Sequence, residues 1–181
     1  DLPAGKPERF TVPGNPEDRR LPALEFEPSF SPDGKEMVYV LWNDETTGSI
    51  AKMNIADKRM TVLTTEKGIF RTPSYSNDGK KIVFWKEGGN DAQGFAYAVK
   101  PGIYVMNPDG SDVKFVTDEG TNPVFSADGT RIFYMTDMGD SKAYMSCDLN
   151  GKETKTHFTS KYANEFDLSP DNKWIAFREL F

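Results

Sequence analysis

One tetrapeptide recurs four times along the chain: Ser31-Pro32-Asp33-Gly34, Ser76-Asn77-Asp78-Gly79, Ser126-Ala127-Asp128-Gly129 and Ser169-Pro170-Asp171-Asn172. The serines stand 45, 50 and 43 residues apart, and an apolar residue precedes each (Phe30, Tyr75, Phe125, Leu168). Pro28, Pro73 and Pro123 come two places earlier still. A repeat of this length is one supersecondary unit that buries its apolar faces only against its neighbours, so the period constrains the architecture before any motif does. The tetrapeptide itself reads as a hairpin turn. A small residue or proline at the second position, Asp at the third and Gly at the fourth suit a type I turn closed by a left-handed residue. Asn172, the one departure from glycine, is the other residue that tolerates that geometry. Asp33, Gly34, Asp78, Gly79, Asp128, Gly129, Asp171 and Asn172 are therefore read as turn-forming residues.

A short apolar run follows each turn: Met37-Val38-Tyr39-Val40, Ile82-Val83-Phe84-Trp85, Ile132-Phe133-Tyr134-Met135 and Trp174-Ile175-Ala176-Phe177. β-Branched and aromatic residues dominate, which favours strands, and the absence of alternation predicts burial on both faces. A third strand is predicted over 50–55, 103–106 and 143–147, and a fourth ends on an apolar-threonine pair: Leu63-Thr64, Val116-Thr117 and Phe158-Thr159. Phe10-Thr11 carries the same ending near the start. Four strands per repeat with turn punctuation is the pattern of a β-propeller blade. The fold class is all-β: an incomplete propeller of four-stranded antiparallel blades, about three and a half of them in this chain. The expected divisions are a last strand of a preceding blade at 1–11, blades at 25–65, 72–117 and 122–159, and the first half of a blade at 165–181, with 12–24 an irregular surface connector.

Propellers hold about four to eight blades, so the chain reads as an excerpt truncated at both ends. Such an arc is expected to expose two blade faces and to pair with itself. Composition narrows the chemistry. The net charge is −6, without a Lys/Arg run, which argues against nucleic acid as the partner. The longest apolar run, Met37 to Trp42, falls far short of the ~20 residues that span a bilayer. A single His excludes a multi-histidine metal centre within this chain, and a single Cys excludes an internal disulfide.

These repeats resemble the TolB-like, WD-type propeller, whose blades centre on an aromatic-Ser-Pro-Asp-Gly-Lys turn followed by an apolar strand, over about residues 25–181. The stretch Glu27-Pro28-Ser29-Phe30-Ser31-Pro32-Asp33-Gly34 leading to Tyr39-Val40-Leu41-Trp42-Asn43-Asp44-Glu45, and the ending Ser169-Pro170-Asp171-Asn172-Lys173-Trp174-Ile175-Ala176-Phe177-Arg178-Glu179, are similar to a subgroup with a propeller ahead of a metal-dependent amidohydrolase domain. The resemblance implies an exported, periplasmic or secreted protein in which this chain is a non-catalytic accessory or gating domain. The catalytic metal would sit in a downstream domain, and no catalytic residue is carried over. The same resemblance leaves open a stand-alone interaction scaffold of the cell envelope, or the gating propeller of a serine peptidase. The partners implied are the remainder of its own chain and other protein domains met through rim loops.

Individual residues add candidates. The loops between second and third strands vary from blade to blade and carry Asp44, Glu45, Asp91, Asp137 and Asp140. Their carboxylates could offer oxygen ligands to Ca²⁺, although no Asp-x-Asp-x-Asp-Gly loop is present. No other cofactor is expected. His157, alone and without a Gly-x-Ser-x-Gly elbow in the chain, reads as an edge-strand histidine. Cys147 reads as a buried, inert thiol. The insertion at 94–101 reads either as a plain longer hairpin or as a segment that touches a partner domain or guards an entrance.

Overall fold

The computed structural model describes Gly5, Phe10, Thr11 and residues 24–44, 47–88, 100–169 and 171–179. These residues form fourteen strands and no helix. The first sheet holds β1 (Leu24–Phe30), β2 (Glu36–Asn43), β3 (Thr47–Asn54) and β4 (Met60–Val62), in sequence order. The second holds β5 (Phe70–Tyr75), β6 (Ile82–Lys86), β7 (Gly102–Met106) and β8 (Lys114–Thr117). The third holds β9 (Thr121–Phe125), β10 (Arg131–Asp137), β11 (Lys142–Asp148) and β12 (Lys155–Ser160), and the hairpin β13 (Ala163–Leu168) and β14 (Ile175–Glu179) begins a fourth. Every pairing is antiparallel. The first strands of successive blades lie side by side, β1 beside β5 and β5 beside β9, which makes them the innermost strands of an open propeller arc.

Each blade's second strand is apolar throughout because its two faces pack on different neighbours. Ile82 and Phe84 of β6 join Val38 and Ile50 of the first blade in one buried cluster, whereas Val83 joins Ile132 and Tyr134 of the third in another. Phe133 and Met135 of β10 turn the opposite way and pack with Phe166, Leu168 and Ile175 of the last hairpin. Aromatic rings fill these seams: Phe84 stacks on Tyr104 at 5.6 Å, Tyr144 on Phe166 at 5.3 Å and Phe158 on Phe177 at 4.8 Å. Such pairs add about 0.5–1.5 kcal/mol each beyond the area they bury.

Three features depart from the sequence expectation or lie outside its reach. Strand β4 ends at Val62, before the pair Leu63-Thr64. Leu63 still donates its amide to the Ile50 carbonyl at 2.8 Å, and the Thr64 hydroxyl accepts the Ile50 amide at 3.1 Å, so a side chain completes the ladder that backbone was expected to close. The two ends of the arc also differ. Met37, Tyr39, Ala51 and Met53, which face away from the second blade, form a buried cluster, whereas the last hairpin leaves Trp174 74% exposed. Finally, residues 12–23, 94–99 and most of 1–11 lie outside the described residues; Phe10 and Thr11 are described and belong to no strand. The Thr11 hydroxyl donates to the Glu25 carboxylate, and the Lys58 ammonium sits over the Phe10 ring, at the first blade.

Candidate functional site

The four repeated turns join the first and second strands of each blade and share one hydrogen-bond pattern. Gly34, Gly79, Gly129 and Asn172 have φ of 69°, 70°, 69° and 60° and donate their amides to the carbonyls of Ser31, Ser76, Ser126 and Ser169 at 2.8–2.9 Å. Each serine hydroxyl donates to the aspartate two residues on, at 2.6–2.7 Å. It also accepts the amide five residues on, at 2.9–3.0 Å for Glu36, Lys81, Arg131 and Trp174. Each aspartate further accepts the amide two positions on, from Lys35, Lys80, Thr130 and Lys173. Hydrogen bonds to the ionised form lower a carboxyl pKa. The serine hydroxyl is the leading cause for Asp33, Asp78 and Asp171, and it brings Asp128 down to about 2. All of these bonds are internal to the turn, and they hold the hairpin.

The rim loops place their acids apart. Asp44 accepts the Trp42 indole N–H at 2.8 Å, and Asp137 accepts the Gly139 amide at 2.9 Å. Asp140 is exposed in the same loop as Asp137, and Glu45 and Asp91 lie outside the described residues. Among the described residues no three His, Cys, Asp or Glu side chains converge in a group able to hold a metal ion.

His157 stands on β12, the outermost strand of its blade, and its ring packs against Phe133 with centroids 4.9 Å apart. Its Nε2 lies 2.8 Å from the Ser146 hydroxyl. That hydroxyl also accepts Arg131 Nε–H at 2.9 Å, and in the neutral Nδ1–H tautomer the imidazole Nε2 accepts the hydroxyl proton. Burial, followed by the Arg131 charge, holds His157 below its ordinary pKa. A serine with 0% exposure whose oxygen is engaged by a guanidinium cannot meet a substrate. The pair is a cross-strand tie between β10, β11 and β12. Cys147 is fully buried, and burial pushes its thiol up to about 11.

The innermost strands carry what the repeat did not announce. Each has a register shift, and at each shift a non-glycine residue takes a left-handed backbone: Glu27 (φ 54°), Thr72 (46°), Asn122 (52°) and Glu165 (58°). The first three precede the aligned prolines, where the Pro ring normally drives its predecessor toward extended backbone. For a β-branched residue such as Thr72 a positive φ is an outlier, and strain of this kind costs about 1–3 kcal/mol per residue and gathers at functional sites. The four residues line one groove of about 490 Å³ at the axis, together with Arg71, the prolines and Phe166.

The groove has a built ion pair at one end. Glu27 accepts Arg71 through Nε at 2.8 Å and a terminal nitrogen at 2.5 Å, while its second oxygen accepts the Thr72 amide at 2.6 Å. Arg71 reaches Glu87 as well, at 3.5 Å. These contacts, Glu27 first, hold the Arg71 guanidinium still more firmly protonated. The first blade thereby clasps the second through backbone and side chain at once. At the other end Glu165 pairs with Arg178 of its own hairpin at 2.9 Å. The bulge residues are backbone-equivalent but carry three different side chains: Glu, Thr, Asn and again Glu. Sequence reasoning noted the aligned prolines but not the residues ahead of them; X-Pro steps inside a strand were the available signal.

Comparison with known proteins agrees with this architecture. The chain is 33% identical over 90 residues to the Tol-Pal system protein TolB of Francisella tularensis subsp. mediasiatica, which is 50% of this chain and 19% of that protein. The chain thus spans about a fifth of the curated relatives it matches. The crystal structure of TolB from Acinetobacter baumannii superposes with a TM-score of 0.70 and 25% identity over 86% of this chain and 37% of that one. The acylaminoacyl peptidase of Pyrococcus horikoshii shares the fold alone, at a TM-score of 0.55 and 16% identity over 76% of this chain and 25% of that chain. The family described as the TolB beta propeller domain matches residues 19–180, and the chain belongs to that family.

Proposed function

We propose that this chain is a non-catalytic interaction propeller of an exported, periplasmic or secreted protein, and that it engages a protein partner through the axial groove. One observation carries the reading: four bulges with the same strained backbone present three different side chains, Glu, Thr and Asn, to a common groove. A feature needed only for folding would repeat its side chains, as the four turns do. The Ser146–His157 pair is closed to a substrate, since Ser146 is enclosed. Among the described residues no helix is long and apolar enough to cross a membrane.

The same domain serves as an accessory or gating module when its partner is a hydrolase domain of its own chain. The likeness to a peptidase of which the matched region is only 25% supports that second reading, and the resemblance of the first and last blades to propeller–amidohydrolase fusions favours a metal-dependent amidohydrolase as that domain. A photo-crosslinking residue placed at Ser74, beside the groove, tests the proposal in the full-length protein. Crosslinks to a separate protein or to a downstream domain are expected from Ser74 and not from Asp57, in the turn between β3 and β4. Crosslinks from Asp57 alone would remove the axial groove from the interaction.

A further inference from the structure

We infer, on the reading that the groove receives a protein partner, that it holds a carboxylate of that partner on the Asn122 amide, repeating between the second and third blades what Glu27 does between the first and second. The backbone is the same at both junctions. Thr72 and Asn122 each sit at a bulge, precede a proline and adopt φ of 46° and 52°. At the first junction the amide so placed donates to a carboxylate reaching across from the preceding blade. At the second, the residue in that reaching position is Thr72, whose hydroxyl stops at Cγ distance from the backbone where a glutamate extends two carbons further. Its Oγ1 is buried and has no hydrogen-bond partner among the described residues. No side chain among the described residues accepts the Asn122 amide, and the Asn122 carboxamide turns away to Met135 Sδ at 3.7 Å.

Of the groove's own carboxylates, Glu27 is paired with Arg71, which Glu87 shares, and Glu165 is paired with Arg178. An amide N–H to an ionised carboxylate is a charge-assisted bond, stronger than its neutral counterpart. The ligand class is therefore an aspartate, a glutamate or a C-terminal carboxylate on an extended segment, with Glu27 as its stand-in within the chain.

The test is an ¹⁵N NMR titration of the intact chain with the capped pentapeptide Gly-Gly-Glu-Gly-Gly and its Gln counterpart, repeated on Thr72→Glu and Thr72→Gln. The glutamate peptide should move the Asn122 amide resonance saturably, and the glutamine peptide should bind about tenfold more weakly or worse. Thr72→Glu should shift that resonance by itself and abolish the response, because its own carboxylate then takes the place; Thr72→Gln should keep it. An Asn122 amide unmoved by the glutamate peptide, or moved equally by both peptides, overturns the inference. So does a Thr72→Glu variant that still responds as the unaltered chain does. Crosslinks from Ser74 that persist after the partner's acidic residues are changed to amides would overturn the carboxylate while leaving the axial interaction standing. Loss of all axial crosslinks would remove the interaction itself.

Discussion

The repeated turns and the axial bulges use the same backbone device and treat it in opposite ways. Both place one residue per blade at positive φ, within 60–70° in the turns and 46–58° in the bulges. In the turns the side chains repeat, since Ser and Asp close the hydrogen bonds on which the hairpin depends and Gly or Asn supplies the left-handed position. In the bulges the backbone is equally constrained, yet the side chain is Glu, Thr, Asn or Glu. Where one residue must satisfy both backbone and side-chain demands, blades converge. Where the constraint lies on the backbone alone, the side chain is released for a task that differs from blade to blade.

The largest effect that would probe this contrast is at Glu27. Its carboxylate is mostly buried and accepts two guanidinium bonds and one amide. Glu27→Ala should lower unfolding free energy by about 2–3 kcal/mol, because a charged acceptor is lost and the Thr72 amide is left without one. Urea unfolding checks it. A loss under about 0.5 kcal/mol would make the clasp ornamental and collapse the distinction between a built bulge and a decorated one.

Much of this fold was legible beforehand because propeller physics writes itself locally. A strand covered on both faces has to be apolar throughout, and Ile82, Val83 and Phe84 say so directly. The turn motif is legible for the same reason: residues 31 to 36 are bonded to one another. The axial groove was not legible. Glu27 and Thr72 are 45 residues apart and meet only because two blades stack, and an X-Pro step, the signal available, ordinarily points to extended backbone rather than to a positive φ. Asp44 and Asp137 stand out in sequence, and in the structure each accepts a hydrogen bond from a residue two places away. Burial of Met37 and Tyr39 agrees with the unalternating apolar run, although the end face of the arc was expected to be exposed.

A turn should prove weaker than the clasp but uniform. Ser126→Ala removes a hydroxyl that serves Asp128 and the Arg131 amide in a position only 3% exposed, and about 1–2 kcal/mol should be lost. Ser31→Ala and Ser76→Ala should fall within about 0.5 kcal/mol of that value. A spread as wide as that among bulge variants would break the comparison from the other side.

Acid acts on the turns as a class. The carboxyls of Asp33, Asp78, Asp128 and Asp171 are held below their ordinary value of 3.8, Asp128 at about 2. A depressed carboxyl stabilises the fold above its unfolded pKa, and that contribution fades as pH falls through the folded one. Circular dichroism should therefore show stability falling between pH 4 and pH 2. Asp128→Asn should be less stable at pH 7 and lose less over that window, and an unchanged slope would mean that the turn's bonds do not depend on charge.

The smallest effect belongs to His157, which tests whether a side chain outside both regions carries a demand of its own. Its imidazole must stay neutral to accept the Ser146 proton while Arg131 holds the same oxygen. Its pKa lies below the ordinary 6.5, so the unfolded chain binds a proton first and stability drops as pH falls below 6.5. Lys155 and Arg131 add repulsion to the charged form, and solvent weakens it because the ring is exposed. The melting temperature should fall by no more than about 2 °C from this cause between pH 7.5 and 5.5, and His157→Gln should remove the fall. A melting temperature that instead rises on acidification would reverse the donor and acceptor at this tie. Ser146 would then receive two donors, and the outer strand would be held by the protonated ring.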